Sequence, residues 1–164
     1  MRAIVVYESH WGNTAAIAQA IAEGIGPDAR AMSTADATLE VVSDAELIVA
    51  GAPLLGFNLP TDTMVRGLSS ETAKGGPPPD LSHPTMRAWL DALPKGSALA
   101  AAFETKISWS PGSSSKAILG RLKEKGYREA AKPQRFVVKD RYGPLKEGEL
   151  ERAKAWGAEL ARGA

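Results

Sequence analysis

The chain of 164 residues is the size of one domain and is long enough to bury a sizeable core. Its net charge of +1 gives no support to nucleic-acid binding, and its lack of cysteine excludes disulfides, thiolate metal sites and thiol chemistry. No stretch approaches the roughly 18 apolar residues of a membrane span, and Arg2 leads straight into a short strand-like run, so we expect a cytoplasmic protein without a secretory leader.

Short apolar runs alternate with helical patterns along the chain. The runs predict five strands, at residues 3–7, 30–33, 46–51, 97–103 and 135–139. Apolar residues at helical spacing predict helices at residues 15–25, 39–42, 84–93, 113–125 and from about 147 onward. Pro84 is expected to open the third helix, which buries Trp89. The last helix is expected to turn inward Leu150, Ala153, Trp156 or Gly157, and Leu160.

Strands that are apolar on both faces and separated by helices indicate a parallel sheet covered on both sides. The pattern predicts one α/β domain over residues 1–164, a doubly wound five-stranded sheet of order 2-1-3-4-5. Residues 67–83, GLSSETAKGGPPPDLSH, fit no element because they combine glycines and three consecutive prolines with little apolar content. They leave the carboxyl edge of the sheet, where such folds bind ligands, so they form either a lid or a floppy insertion.

The stretch SHWGNT, residues 9–14, joins the first strand to the first helix. Such a loop presents free backbone N–H groups at a positive helix end, which suits a phosphate. Ser9 and Thr14 add hydroxyls, Asn13 adds an amide, and Gly12 permits close backbone approach. The loop lacks the lysine of a Walker loop and the three glycines of a dinucleotide fingerprint. With these two sites excluded, the loop is either a cradle for a phosphomonoester that contains no cation of its own or a plain capped turn.

The run VVYESHWGNTAAIAQAI, residues 5–21, resembles the signature of the flavodoxin family along its whole length. The matching positions are Tyr7, Ser9, Gly12, Thr14, Ala18 and Ile21. Chain length, strand order and the apolar third strand extend the resemblance over most of the chain. It implies a flavodoxin-like protein that binds flavin mononucleotide (FMN) non-covalently, of the actinobacterial flavodoxin-domain type with some likeness to the quinone-reductase branch.

The resemblance also implies where the isoalloxazine ring would lie, between the loops at residues 52–60 and 104–114. A glycine beside the ring can turn its carbonyl toward the N5 proton of reduced flavin, and Gly56 is the candidate. Phe57 and Trp109 are candidate stacking partners, with ordinary packing as the alternative. The cofactor-binding residues implied in total are Ser9, His10, Trp11, Gly12, Asn13, Thr14, Pro53, Leu54, Leu55, Gly56, Phe57, Asn58, Glu104, Thr105, Lys106 and Trp109.

Three features bear on the cradle and on the family. Trp11 stands where flavodoxins carry a third hydroxyl, and the quinone-reductase branch has an aromatic residue there. His10 either faces the phosphate, where an anion would raise its pKa, or is an exposed loop residue, which is what we expect; the insertion residue His83 receives no role. The acidic surface typical of flavodoxins is missing, because the net charge of −4 over residues 1–120 is offset by +5 over residues 121–164.

Three functions are open at this point. The first is an electron carrier that meets redox partner proteins. The second is an enzyme that passes hydride from an NAD(P)H donor through the flavin to a quinone. The third is a domain that has lost flavin and acts through partners. No catalytic side-chain set is recognisable, so the flavin would supply the chemistry. The signature match favours the carrier, and the oligomeric state stays open.

Overall fold

A computed structural model describes residues 1–164 and contains a parallel sheet with helices on both faces. The strands are β1 (Ala3–Tyr7), β2 (Ala29–Ser33), β3 (Leu47–Pro53), β4 (Leu99–Ile107), β5 (Arg128–Glu129) and β6 (Gln134–Val138). The helices are α1 (Asn13–Ile25), α2 (Leu39–Ser43), α3 (Asp62–Gly67), α4 (Ser70–Ala73), α5 (Met86–Ala92), α6 (Ser114–Glu124) and α7 (Glu149–Gly163). None of these helices is both long and apolar enough to cross a membrane.

The strand order is β2-β1-β3-β4-β5, with β6 also paired to β4, and every pairing is parallel. The predicted order 2-1-3-4-5 is therefore confirmed. The fifth place is shared, because β5 lies beside Leu99 and Ala100 while β6 lies beside the second half of β4. The sequence pattern missed β5, since two exposed residues carry no apolar period.

Alternate residues of the central strands feed two separate cores. Ile48 and Ala50 pack with α5 and α6 on one face, whereas Val49 and Phe103 pack with α1 and α7 on the other. Trp89 and Trp156 are buried as predicted. The prediction for Leu150 is wrong, since its side chain is 44% exposed. Glu149 takes the inward place in that turn, and its carboxylate accepts the Val137 N–H at 2.6 Å.

Several element boundaries differ from those predicted. Pro84 does not open α5, because Thr85 caps that helix by accepting the Ala88 N–H on its hydroxyl. Strands β3 and β4 run on to Pro53 and Ile107, so residues 104–106 lie in the sheet instead of in the following loop. Both strands thus deliver their last side chains to the carboxyl edge.

Residues 67–83 are neither unstructured nor a detached lid. They begin at the last residue of α3 and contain α4. Helix α3 starts after its cap Thr61, whose hydroxyl accepts the Met64 N–H. Residues 74–83, here called the strap, then cross the carboxyl edge of the sheet and bond to the loop between β1 and α1. The insertion is thereby fixed to the predicted ligand-binding edge.

Helices α1 and α7 approach each other through glycine. A Cβ atom at Gly24 would overlap the carbonyl oxygen of Lys154, and one at Gly157 would overlap that of Ile21. The two backbones are therefore in direct contact, which larger residues at these positions would prevent. This contact holds the helix that follows the 9–14 loop.

Candidate functional site

The loop at residues 9–14, here called the cradle, lies between β1 and the first turn of α1. Gly12 adopts φ +89° and precedes the helix, and its carbonyl accepts the first helical N–H, from Ala16. The backbone N–H groups of four cradle residues have no acceptor within the protein, namely those of His10, Trp11, Asn13 and Thr14. Unpaired N–H groups at a helix N-terminus form an anion site, because they and the helix dipole both favour negative charge.

The polar side chains of the cradle are already engaged within the protein. The Ser9 hydroxyl accepts the Gly12 N–H at 3.2 Å, and the Thr14 hydroxyl bonds that of Thr105 at 2.8 Å. Asn13 donates its amide to the carbonyl oxygen of Tyr142 at 3.0 Å. The donors left for an anion are therefore the backbone N–H groups, the O–H of Ser9, which is an acceptor in its bond to Gly12, and the O–H of one of the two threonines.

A cleft opens beside the cradle and holds two cationic side chains. Its walls come from the cradle, the end of β3 and the end of β4, together with Val138 and Arg141. Lys106 is buried in the wall and donates its ammonium to the carbonyl oxygen of Ser110 at 2.5 Å. The cation that the cradle sequence lacks is thus provided by residues far away in the chain.

A second cavity of about 490 Å³ adjoins this cleft and shares its walls at Leu54, Leu55, Ile107 and Arg141. Gly56, Phe57, Met64 and Trp109 are among its other residues, and most of the lining is apolar. A cavity of this size is within the range of about 300–1,000 Å³ that small-molecule sites occupy. The two hollows together offer a polar end and an apolar end.

A tight turn forms the rim of the apolar cavity. Leu55 and Asn58 exchange two backbone hydrogen bonds of 3.0 and 2.9 Å, and the turn between them has φ +52° at Gly56 and φ +66° at Phe57. Positive φ at both central residues is typical of a type I′ turn. It leaves the Phe57 side chain 55% exposed. Trp109, from the loop after β4, is 73% exposed at the same cavity.

Beneath the cradle lies a buried cluster of charged and polar groups. The Glu8 carboxylate bonds His10 Nε2 at 2.7 Å and accepts the Met86 N–H at 2.7 Å. The other ring nitrogen of His10 bonds the carbonyl oxygen of Asp80 at 2.8 Å. The His83 ring stacks on that of His10 with centroids 5.3 Å apart. The expectation that His10 is exposed is wrong, because its neighbours cover it until only 4% of the residue is accessible.

The two histidines are shifted in opposite directions. Burial would lower the pKa of His10, but its bonds to Glu8 and to the Asp80 carbonyl outweigh burial and raise it. The pKa of His83 is lowered by burial and by the nearby charge of His10. Over a range of pH in which isolated histidines titrate, the stacked pair therefore has one positive charge, on His10, while His83 is neutral.

The strap bonds three consecutive cradle residues. The Ser9 N–H donates to His83 Nε2 at 3.1 Å, the carbonyl oxygen of His10 accepts the Asp80 N–H at 2.8 Å, and the Trp11 indole donates to the Pro77 carbonyl at 3.0 Å. The indole also packs edge-on against Tyr142, with centroids 4.9 Å apart. Trp11 therefore links the cradle to the strap and to the loop after β6.

The segment before the strap is held by Glu71, on the short helix α4. Its carboxylate accepts the Tyr142 hydroxyl at 2.5 Å and pairs with Arg141 at 2.9 Å. The hydrogen bond from Tyr142 and the charge of Arg141 lower the pKa of Glu71. Glu71 is the acidic residue among those lining the apolar cavity, and its charge is balanced there by Arg141.

The structure gathers most of the sequence-predicted residues at one place. The cradle cleft is lined by Ser9, His10, Trp11, Asn13, Thr14, Pro53, Leu54, Leu55, Thr105 and Lys106, and the adjoining cavity by Gly56, Phe57 and Trp109. Asn58 closes the rim turn. Glu104 lies outside both hollows and accepts hydrogen bonds from Ser113 and Ser115 at the start of α6.

Five residues of the site were not predicted, namely Glu8, Glu71, Asp80, His83 and Arg141. Nothing in the local sequence indicates Glu71, Asp80, His83 or Arg141, since contacts such as the one between Ser9 and His83 span 74 residues. The pattern of a buried strand followed directly by an acidic residue at Glu8 was the one available signal.

No family model and no curated protein sequence matches the chain. Among solved structures, an archaeal flavodoxin is 25% identical, with a TM-score of 0.69 over 99% of this chain and 97% of that one. Flavodoxin 1 from Bacillus cereus is 18% identical, with a TM-score of 0.69 over 99% and 98%. A WrbA-like flavodoxin from Agrobacterium tumefaciens is 16% identical, with a TM-score of 0.60 over 98% and 94%. The chain therefore has the flavodoxin-like fold, and the more specific actinobacterial assignment stays a prediction.

Proposed function

We propose that this flavodoxin-like chain binds FMN non-covalently and transfers electrons through it. The observation that carries the proposal is the row of unpaired cradle N–H groups beside two cations, next to an apolar cavity with an aromatic rim. FMN has a phosphate at one end and a flat ring at the other, which match the polar cleft and the apolar cavity. When bound, the flavin supplies redox chemistry, and the protein supplies position and electrostatics.

The cradle residues fit a phosphate group. Gly12 has no Cβ and no atom within 4 Å of where one would lie, so an anion can approach the backbone closely. The N–H groups of residues 10, 11, 13 and 14 would donate to it. Arg141 and Lys106 would add charge in the same cleft, and a guanidinium suits a phosphate well.

The adjoining cavity fits an isoalloxazine ring. Its lining at Leu54, Leu55, Met64 and Ile107 is apolar, and the exposed faces of Phe57 and Trp109 stand at its mouth. Aromatic side chains pack favourably against a flat ring in offset or edge-on arrangements. The carbonyl of Gly56 is the group that we assign to the N5 side of the ring, because that turn forms the rim.

Transfer of electrons to and from redox partner proteins is the role that we favour. The likeness to the archaeal flavodoxin and to flavodoxin 1 from Bacillus cereus extends over nearly the whole of each chain and supports this role. An NAD(P)H-dependent quinone oxidoreductase is the second candidate. It is favoured by the exposure of Phe57 and Trp109 at the cavity, where a flat donor could approach, and by the likeness to a WrbA-like protein.

Titration of the purified apoprotein with FMN tests the proposal, followed by visible absorption and flavin fluorescence. We expect uptake of one FMN per chain, with quenched fluorescence and weaker binding of riboflavin, which lacks the phosphate. Absence of uptake would contradict flavin binding and leave the third possibility, a domain that acts through partners. In the loaded protein, rapid bleaching by NADH or NADPH would select the enzyme over the carrier.

A further inference from the structure

The strap holds the cradle at three successive residues, and one of these bonds has an unusual acceptor. The Ser9 N–H donates to the ring nitrogen Nε2 of His83 at 3.1 Å, in a buried position. The neighbouring bonds, from Asp80 to His10 and from Trp11 to Pro77, use carbonyl acceptors that never titrate. Of these three bonds, the one at His83 is lost on protonation, because only the neutral ring has a lone pair. The His10 ring also bonds the Asp80 carbonyl, but as a donor, so a proton on His10 preserves that bond.

Ionisable groups surround His83 from each segment that packs against it. Glu8 lies at the end of β1, His10 stacks on the ring from the cradle, and the Asp80 carboxylate of the strap is 3.8 Å from Nδ1. Because His10 is held as the charged member by Glu8 and the Asp80 carbonyl, a second charge on His83 would meet a like charge across the stack. His83 is thereby kept as a neutral acceptor.

The direction of the cradle N–H groups matters more here than in a cradle rich in hydroxyls. Trp11 has no hydroxyl, and the hydroxyl oxygens of Ser9 and Thr14 are held in place by their bonds to the Gly12 N–H and to the Thr105 hydroxyl. A hydroxyl can rotate toward a ligand, whereas a backbone N–H points where the chain directs it. Whatever fixes the backbone at Ser9 therefore fixes the donors that follow it.

We propose that His83 is a positioning residue of the cradle, which accepts the Ser9 N–H and so holds the next N–H groups in the arrangement that binds the FMN phosphate. This inference rests on the proposed function. It assigns to the strap a role in ligand affinity. Protonation of His83 would break the bond and release the strap from Ser9.

The consequence runs against simple electrostatics. An added positive charge beside an anion site strengthens anion binding, so acidification of His83 alone would raise affinity for phosphate. Loss of the Ser9 bond predicts the opposite, a fall in affinity as the pH decreases through the titration of His83. The FMN phosphate also takes up a proton with a pKa of about 6, so the comparison needs a protein in which only His83 is changed.

The experiment compares wild type with H83Q, H83L and the strap control L81A in FMN titrations from neutral to mildly acidic pH. Glutamine offers an acceptor oxygen and does not titrate, leucine offers no acceptor, and Leu81 is an exposed strap residue. At neutral pH we expect H83L to bind FMN about tenfold more weakly, while H83Q and L81A retain most of the affinity. On acidification, wild type should lose more affinity than H83Q, since the ligand's own titration is common to both.

Equal affinities for H83Q and H83L at neutral pH, or parallel profiles for wild type and H83Q, would overturn the proposal. If H83L does not fold, wild type against H83Q decides. If wild type takes up no FMN, the proposed function fails, and the apoprotein still tests the bond by NMR. The Ser9 amide shift should follow the titration of the His83 ring in wild type and not in H83Q. An amide that ignores that titration would contradict the inference.

Discussion

The indole of Trp11 donates a hydrogen bond of 3.0 Å to the carbonyl oxygen of Pro77, 66 residues away in the chain. Trp11 is the cradle residue that departs from the flavodoxin pattern, and this bond gives the departure a structural purpose. A hydroxyl at this position would be too short to reach the strap from the cradle. Trp11 therefore lacks a hydroxyl that could donate to a ligand, but it forms a hydrogen bond that holds the strap.

Substitution of Trp11 by phenylalanine should loosen the strap while keeping the packing on Tyr142. We expect the free energy of unfolding to fall by about 1 kcal/mol, because one hydrogen bond is lost without loss of the aromatic ring. Amides of residues 74–83 should exchange faster with deuterium. Trp109→Phe is the matched control, since Trp109 is exposed and donates no hydrogen bond. Unchanged exchange in W11F would contradict the assigned role of the indole.

Gly112 is required by a close approach between the two loops of the apolar cavity. It adopts φ +93°, and a Cβ atom there would overlap the carbonyl oxygen of Phe57. We expect Gly112→Ala to lower the free energy of unfolding by roughly 2 kcal/mol, from backbone strain and overlap together. Gly67→Ala, in open space at the end of α3, should change stability by no more than about 1 kcal/mol. Urea denaturation of both variants checks this difference.

Phe57 holds a backbone conformation that costs a non-glycine residue about 1–2 kcal/mol. Asparagine adopts this conformation more readily, and the exposed ring of Phe57 contributes little burial. Phe57→Asn should therefore raise the thermal stability of the apoprotein and weaken its binding of FMN. A variant that gains stability without losing flavin affinity would show that the ring of Phe57 does not contact the cofactor.

The free energy of unfolding of the apoprotein should be greatest at a pH between the lowered pKa of His83 and the raised pKa of His10. The raised pKa of His10 gives a contribution that is complete below the ordinary value of 6.5 and is lost as the pH rises through the folded value. The lowered pKa of His83 gives one that is present above 6.5 and is lost as the pH falls through its folded value. In H83Q the second of these losses should disappear, which urea midpoints at a series of pH values would reveal.

Arg141 lines both hollows of the site and is paired with Glu71. If it contacts the phosphate, Arg141→Gln should weaken FMN binding about tenfold and leave riboflavin binding unchanged. Arg66→Gln is a suitable control, because Arg66 is exposed and lines neither hollow. An equal loss for both flavins would indicate that Arg141 acts on the ring or on the fold instead.

The sheet and the cradle could be predicted because their signals are local. A buried strand, a helix stripe and the loop that joins them are each written in a few adjacent residues, as at residues 3–25. Helices α3 and α4 escaped prediction because they are too short to show an apolar period, and only α3 begins with a capping side chain, that of Thr61.

The contacts that complete the site could not be predicted. His83 and Arg141 reach the cradle through irregular backbone, and no spacing relates them to Ser9 or Trp11. The exposure of His10 was misjudged for the same reason, since the groups that bury it include Asp80 of the strap. Local sequence indicates which loop can hold an anion, and the distant chain decides how that loop is held.

The glycine contact between α1 and α7 has a consequence for the order in which the protein matures. The cradle and α1 are synthesised long before α7, so Gly24 has no Gly157 to meet until α7 has emerged from the ribosome. Until then one face of α1 is bare, and its apolar residues Ile17 and Ile21 are open to chaperones. Nascent chains stalled before α7 emerges should therefore be unable to hold a ligand at the cradle, however complete the cradle itself is.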